Sequence, residues 1–159
     1  MERIAAILSN KDYIKNFRKN IKAEADRIFC KHDMDHFLDV ARIAYIINLE
    51  ECLGYRKDII YAAALLHDIG KWRQYREAIP HAQASACLAQ EILLQCGFCE
   101  NETEIIVEAI LNHSRRTTED RSFRYLLYKS DKLSRKCFLC PASKECNWEN
   151  KMKNNEIEV

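Results

Sequence analysis

The chain has 159 residues, 48% of them hydrophobic, with only three glycines and two prolines and a net charge of +1. That length and apolar content suffice for one buried core. The near-neutral charge removes any broad electrostatic case for nucleic acid or a membrane as main partner, and the scarcity of Gly and Pro, with no regular apolar/polar alternation, argues for helices rather than sheet.

No segment has the apolar length to span a bilayer, and the charged start lacks a signal-peptide pattern, so the expected location is the cytoplasm. There, eight cysteines read as buried thiols, metal ligands or redox groups before they read as disulfides.

The periodicity predicts a first helix from about Lys11 to Cys30, with Tyr13, Ile14, Phe17, Ile21, Ala25 and Ile28 on one face. A second starts within Lys31–His36, where Asp33 and Asp35 suit the first turn, and ends near Gly54. His36 is in phase with Val40, Ile43, Ala44 and Ile47. His32, one turn earlier among charges, reads as solvated. The third helix, roughly Lys57 to His67, is alanine-rich and runs into His67-Asp68-Ile69-Gly70-Lys71, with Ile60, Ala63 and Ala64 on the face of His67. Gly70 reads as the residue that lets the backbone turn, and Trp72–Arg76 as a loop mixing aromatics with cations. Taken alone, this stretch is also compatible with a helix C-terminus whose dipole favours His67.

Pro80 suits the first turn of a fourth helix, in which His81 is in phase with Ala84, Ser85, Leu88 and Ile92, and Gly97 ends it. The fifth runs from about Glu102 to His113, with Ile106, Ala109 and Ile110 on the histidine's face and Arg115 and Arg116 following. The sixth runs from about Glu119 to Ser134, with Leu127 and Tyr128 setting Asp131 on the buried side. His36, His67, His81, His113 and Asp131 thus each lie on an apolar stripe near a helix end. Burying so many polar groups is costly unless something pairs with them, and convergence on metal is the economical solution.

His36 in H-x-x-x-V-x-x-x-A, His67-Asp68 in A-L-L-H-D-I-G-K and Asp131 in K-S-D-K-L resemble the HD superfamily of metal-dependent phosphohydrolases, over roughly Phe29 to Arg135. With His81 and His113 the pattern becomes H…HD…H…H…D, similar to the branches that hold two metals, among them symmetrical diadenosine-tetraphosphate hydrolases, cyclic-dinucleotide phosphodiesterases and a few mixed-valent diiron oxygenases. The resemblance implies an all-α HD-domain helical bundle with His36, His67, Asp68 and Asp131 on one metal, and His81 and His113 on a second that Asp68 bridges. The ions implied are divalent transition metals such as iron or manganese. The implied activity is hydrolysis of a nucleotide or other small phosphate ester, by attack of a metal-bound hydroxide on phosphorus. Lys71 is the expected catalytic and phosphate-binding cation beside Asp68, with Arg73, Arg115, Arg116 and Arg135 as further substrate-binding candidates. A diiron oxygenase, or a metal- or redox-sensing module without turnover, are the alternatives. No membrane or nucleic-acid partner is expected, and the oligomeric state stays open.

The end of the chain departs from that family pattern. Cys137, Cys140 and Cys146 form C-x-x-C-x5-C, which resembles thiolate ligation of zinc or an iron–sulfur cluster. Cys30 precedes His36 by the same six residues that separate Asp131 from Cys137. If His36 and Asp131 meet at one metal, Cys30, or alternatively His32, closes this second site. The expected division is a metal-binding helical domain over 1–135 and a cysteine-containing extension, 136–159, packed on it. Cys96 and Cys99 read as structural residues around a Gly97 cap, and Cys52 and Cys87 as small core residues.

Overall fold

A computed structural model describes residues 1–115 and 121–157. It contains α1 (Glu2–Ser9), α2 (Lys11–Ala23), α3 (Met34–Glu50), α4 (Lys57–Leu66), α5 (Lys71–Glu77), α6 (His81–Gln95), α7 (Glu100–Asn112) and α8 (Phe123–Leu133). Short 3-10 turns follow at Cys137–Leu139 and Asn150–Met152. Among the described residues there is no strand, so the fold is the all-α bundle expected.

The centre of the bundle is α4. Its Ile59, Ile60 and every residue from Ala62 to Leu66 are buried, because α1, α3, α6, α7 and α8 all pack around it. A helix apolar on all sides is stable only when so enclosed, and its three consecutive alanines let neighbouring helices come close. Helix starts are fixed by side chains. Asn10 accepts from Asp12 N and Tyr13 N at α2, Asp33 from His36 N at α3, and Ser122 from Tyr125 N at α8. The Asp33 cap starts α3 where His36 falls in its first turn.

Several expectations need correction. The chain begins with a helix, α1, that the periodicity did not reveal, and α2 stops at Ala23 instead of Cys30. Ile21 and Ile28 are exposed, whereas Asn16 and Asn20 on α2 are buried. The reason is specific pairing. Asn20 donates to the Asp68 carbonyl at 2.8 Å and accepts from Trp72 N at 2.8 Å, and Asn16 accepts from Trp72 Nε1 at 3.0 Å. The Trp72–Arg76 segment is helical, within α5, and not a loop. Gly70 has φ of −94°, which any residue tolerates. Its requirement is space, since a Cβ there would lie 2.6 Å from Ser85 N. Cys52 and Cys87 are exposed thiols, not core residues.

The tail returns to α8. Asn154 Nδ2 donates to the carbonyls of Lys132 and Arg135, and the Arg135 guanidinium lies over the Trp148 ring. Among the described residues no helix is long and apolar enough to cross a membrane.

Candidate metal centre

The site forms where α4 ends and the starts or ends of α3, α6, α7 and α8 converge on it. His67 is the C-cap residue of α4, His113 that of α7; His36 lies in the first turn of α3, His81 opens α6, and Asp131 lies in the last turn of α8. Ligand atoms of His36, His67, Asp68 and Asp131 lie within 4.8 Å of one another, as do those of Asp68, His81 and His113. Asp68 belongs to both groups. One of its oxygens, Oδ2, is 3.3 Å from His67 Nε2, and the other, Oδ1, is 3.5 Å from His81 Nε2 and 3.7 Å from His113 Nε2. Asp131 Oδ1 is 3.6 Å from His36 Nε2 and 3.9 Å from His67 Nε2.

These separations are long for hydrogen bonds and suit several donors around a shared ion. Among the described residues Asp68 Oδ1 and Asp131 Oδ1 are buried with no hydrogen-bond partner, a state that costs stability unless a cation completes it. The imidazoles are oriented to match. His67 Nδ1 bonds the Ala64 carbonyl at 2.7 Å, His113 Nδ1 the Ile110 carbonyl at 2.6 Å, His81 Nδ1 the Gln74 amide oxygen at 2.7 Å, and His36 Nδ1 faces Ser134 Oγ at 3.2 Å. Each pairing occupies Nδ1 and turns Nε2 toward the centre, the arrangement of metal-ligating histidines. The residues present therefore fit a pair of divalent ions.

The electrostatics agree. Burial, reinforced by His67, lowers the His36 pKa to about 3, and burial lowers His81 to about 4, which keeps both rings neutral and able to donate a lone pair. Burial opposes ionisation of Asp68, but His32 and His67 outweigh it and hold the carboxyl well below its usual range. Asp131, equally buried, is held ionised by Lys132 and Arg135, which sit at 2.6 and 3.5 Å from Oδ2. The carboxylate of Asp68 outweighs burial at His113 and raises its pKa.

A pocket of about 420 Å³ opens beside His36, bordered by Arg27, Lys71 and Arg135 and by the rings of Phe29 and Trp148. Of the predicted cations, Lys71 and Arg135 are therefore at the site. Arg73 is not: its Nε donates to Glu77 at 2.8 Å and it borders a different hollow, with Lys15 and Lys19. Arg115 is exposed and does not border the pocket. Arg116 lies outside the described residues, as does the expected start of the sixth helix at Glu119.

His32 is not solvated, despite its charged sequence neighbours. It is buried, with Nδ1 2.6 Å from Glu24 Oε1 and Nε2 3.4 Å from Asp68 Oδ2. Tyr75 OH donates to the same Glu24 oxygen at 2.6 Å. Nδ1 is held by Glu24 and Nε2 lies nearest the Asp68 carboxylate, so the structure places His32 beside the His/Asp centre. Glu24, Ser134 and Arg27 carry no periodic signal in the sequence that marks them as neighbours of the centre, and Gln74 and Tyr75 stand out only as part of the Trp72–Arg76 segment.

Comparison with known proteins supports the same assignment. The family model described as "HD domain" matches residues 34–145. A Clostridium beijerinckii protein described as "Uncharacterized protein" is 48% identical over 157 residues, covering 99% of each chain. No solved structure matches. With its family match spanning α3 through the C-x-x-C turn, and its histidines and aspartates gathered at the ends of the helices that match covers, this chain belongs to the HD domain family.

Proposed function

We propose that the protein is a metal-dependent phosphohydrolase acting on a nucleotide or other small phosphate ester. The observation that carries this reading is the pair of buried, unpartnered carboxylate oxygens, Asp68 Oδ1 and Asp131 Oδ1, facing four histidines next to a pocket with three cations. His36, His67, Asp68 and Asp131 would hold one ion, and Asp68, His81 and His113 the other. Two such ions supply Lewis acidity to a phosphoryl oxygen and acidify a water to near neutrality.

The chain's own groups do the rest. Lys71 and Arg135 hold the phosphate, Arg135 offering the planar fork that suits its oxygens. Phe29 and Trp148 give the pocket aromatic surface, which fits the base of a nucleotide better than a bare phosphate ester. Asp131 and the Nε2 atoms would keep the ions fixed, while Lys71 and Arg135 face the charge that develops on the phosphoryl oxygens. His32 Nε2, on the pocket wall and backed by Glu24, is placed to hand a proton to the leaving oxygen.

The test is phosphate release from a panel of nucleotides and simple phosphate esters by anaerobically prepared, Mn²⁺-loaded protein. Turnover without O₂ that disappears with His67→Ala supports the reading. A fully metal-loaded protein that releases phosphate from none of them, or turns over only with O₂, would overturn it.

A further inference from the structure

Cys137, Cys140 and Cys146 follow α8 closely, and a fourth thiol, Cys30, lies in the turn between α2 and α3. All four are free thiols. The structure brings them to one corner of the molecule. Cys137 and Cys140 are near enough to Cys30 for their charge to act on its ionisation, added to the effect of burial and opposed by Arg135. Cys30 and Cys146 border the pocket beside the His/Asp centre, and Cys30 and Cys140 border the hollow next to it.

We infer that Cys30, Cys137, Cys140 and Cys146 bind an iron–sulfur cluster that staples the tail to the α2–α3 turn. The inference does not depend on the phosphohydrolase reading. Three closely spaced cysteines with the fourth drawn from elsewhere is a pattern of cubane clusters, whereas structural zinc sites are usually built from two close pairs. Among the described residues no three of these thiols gather within 4.8 Å of one another, a spread that a four-iron, four-sulfur cluster accommodates. Its net negative charge has a cation at hand in Arg135.

The tail also benefits from such a staple. Between 136 and 157 only Ala142 is buried, while Phe138 and Leu139 are exposed. A segment with so little apolar burial, held otherwise by the Asn154 hydrogen bonds and the Arg135–Trp148 stack, gains much from a metal tie. The cluster would fix Cys146, and through it Trp148, against the pocket.

The experiment is iron and acid-labile sulfide per chain, with the visible absorption spectrum, on the full chain purified anaerobically. About four sulfides per chain with the broad iron–sulfur absorption are expected. Cys140→Ser and Cys146→Ser should lose both, and His67→Ala should retain both. Absence of sulfide in the wild-type protein, or one zinc per chain released by the cysteine variants, would overturn the inference. Should the cysteine variants fail to fold, the wild-type sulfide content decides it alone.

Discussion

The guanidinium of Arg135 lies 4.0 Å from the centre of the Trp148 ring, and both border the pocket that His36 enters. A residue of the tail thus stacks on a cation that also approaches Asp131. Arg135→Ala should lower kcat/KM about 10–100-fold, equivalent to about 1.4–2.8 kcal/mol, chiefly through KM. Trp148→Ala should weaken nucleotides and leave a simple phosphate monoester nearly unaffected. Steady-state kinetics on both substrates checks this, with metal content measured in parallel because Arg135 neighbours a ligand. Equal losses on the two substrates would remove the base-stacking role of Trp148.

The histidines behind the centre differ in their supports, and that difference is measurable. Gln74 and Ser134 hold His81 and His36 by side-chain contacts, while His67 and His113 lean on backbone carbonyls that no substitution removes. Gln74→Ala should weaken the ion shared by His81 and His113 about 10–100-fold and spare the other. Metal titration with a competing chelator would show one weakened class of site. Two equally weakened classes would argue against separate ligand sets.

His32 offers a test of proton transfer. If its Nε2 serves the leaving oxygen, His32→Gln should lower kcat about 10²–10⁴-fold for a poor leaving group. An activated aryl ester, which needs no proton, should suffer far less. Glu24→Gln, which alters the partner of His32 Nδ1, should follow the same pattern more weakly. A loss independent of the leaving group, with metal retained, would assign His32 to packing.

Gly70 tests the packing that sets Asp68. Its N–H donates to Ser85 Oγ at 3.0 Å, and an added Cβ would meet the α6 backbone at Ala84 and Ser85. Gly70→Ala should cost about 1–3 kcal/mol, since neither backbone can yield cheaply. Thermal or urea unfolding measures it, and an unchanged midpoint would contradict the close approach.

Far from the centre, Arg3 ties α1 to Asp58 of α4 and Glu102 of α7, its Nη2 standing 3.1 Å from Glu102 Oε1. The hydrogen bond to Arg3 lowers the Glu102 pKa to about 2, against an ordinary 4.5. A carboxyl lowered in the folded state lends stability above its unfolded pKa and loses it as pH falls. Arg3→Gln should therefore cost about 0.5–1 kcal/mol at pH 7, with the difference from wild type shrinking from pH 4.5 toward 2. Unfolding curves across that range give the answer, and a constant difference would place the effect in packing.

The gathering of these histidines and aspartates was legible because helical phase is written locally. His36, His81, His113 and Asp131 each repeat the stripe of their own helix, and the ends of those helices meet where α4 stops. What stayed hidden depends on contacts between segments. Asn16 and Asn20 interrupt the apolar face of α2 because they serve the backbone and indole beyond Asp68. The burial of His32 depends on Glu24 and Asp68, which lie eight and 36 residues away in opposite directions. The short α5 carries no buried residue, so no apolar stripe distinguished it from a loop.

The central claim is a two-ion His/Asp centre, and metal stoichiometry tests it most directly. On protein purified anaerobically without chelators, total metal should exceed sulfide-matched iron by two divalent ions per chain. The excess should fall to one in His81→Ala and be lost in Asp68→Ala, whose carboxylate serves both ion sets. An excess of one or none in the wild-type protein, or two ions retained after Asp68→Ala, would contradict it.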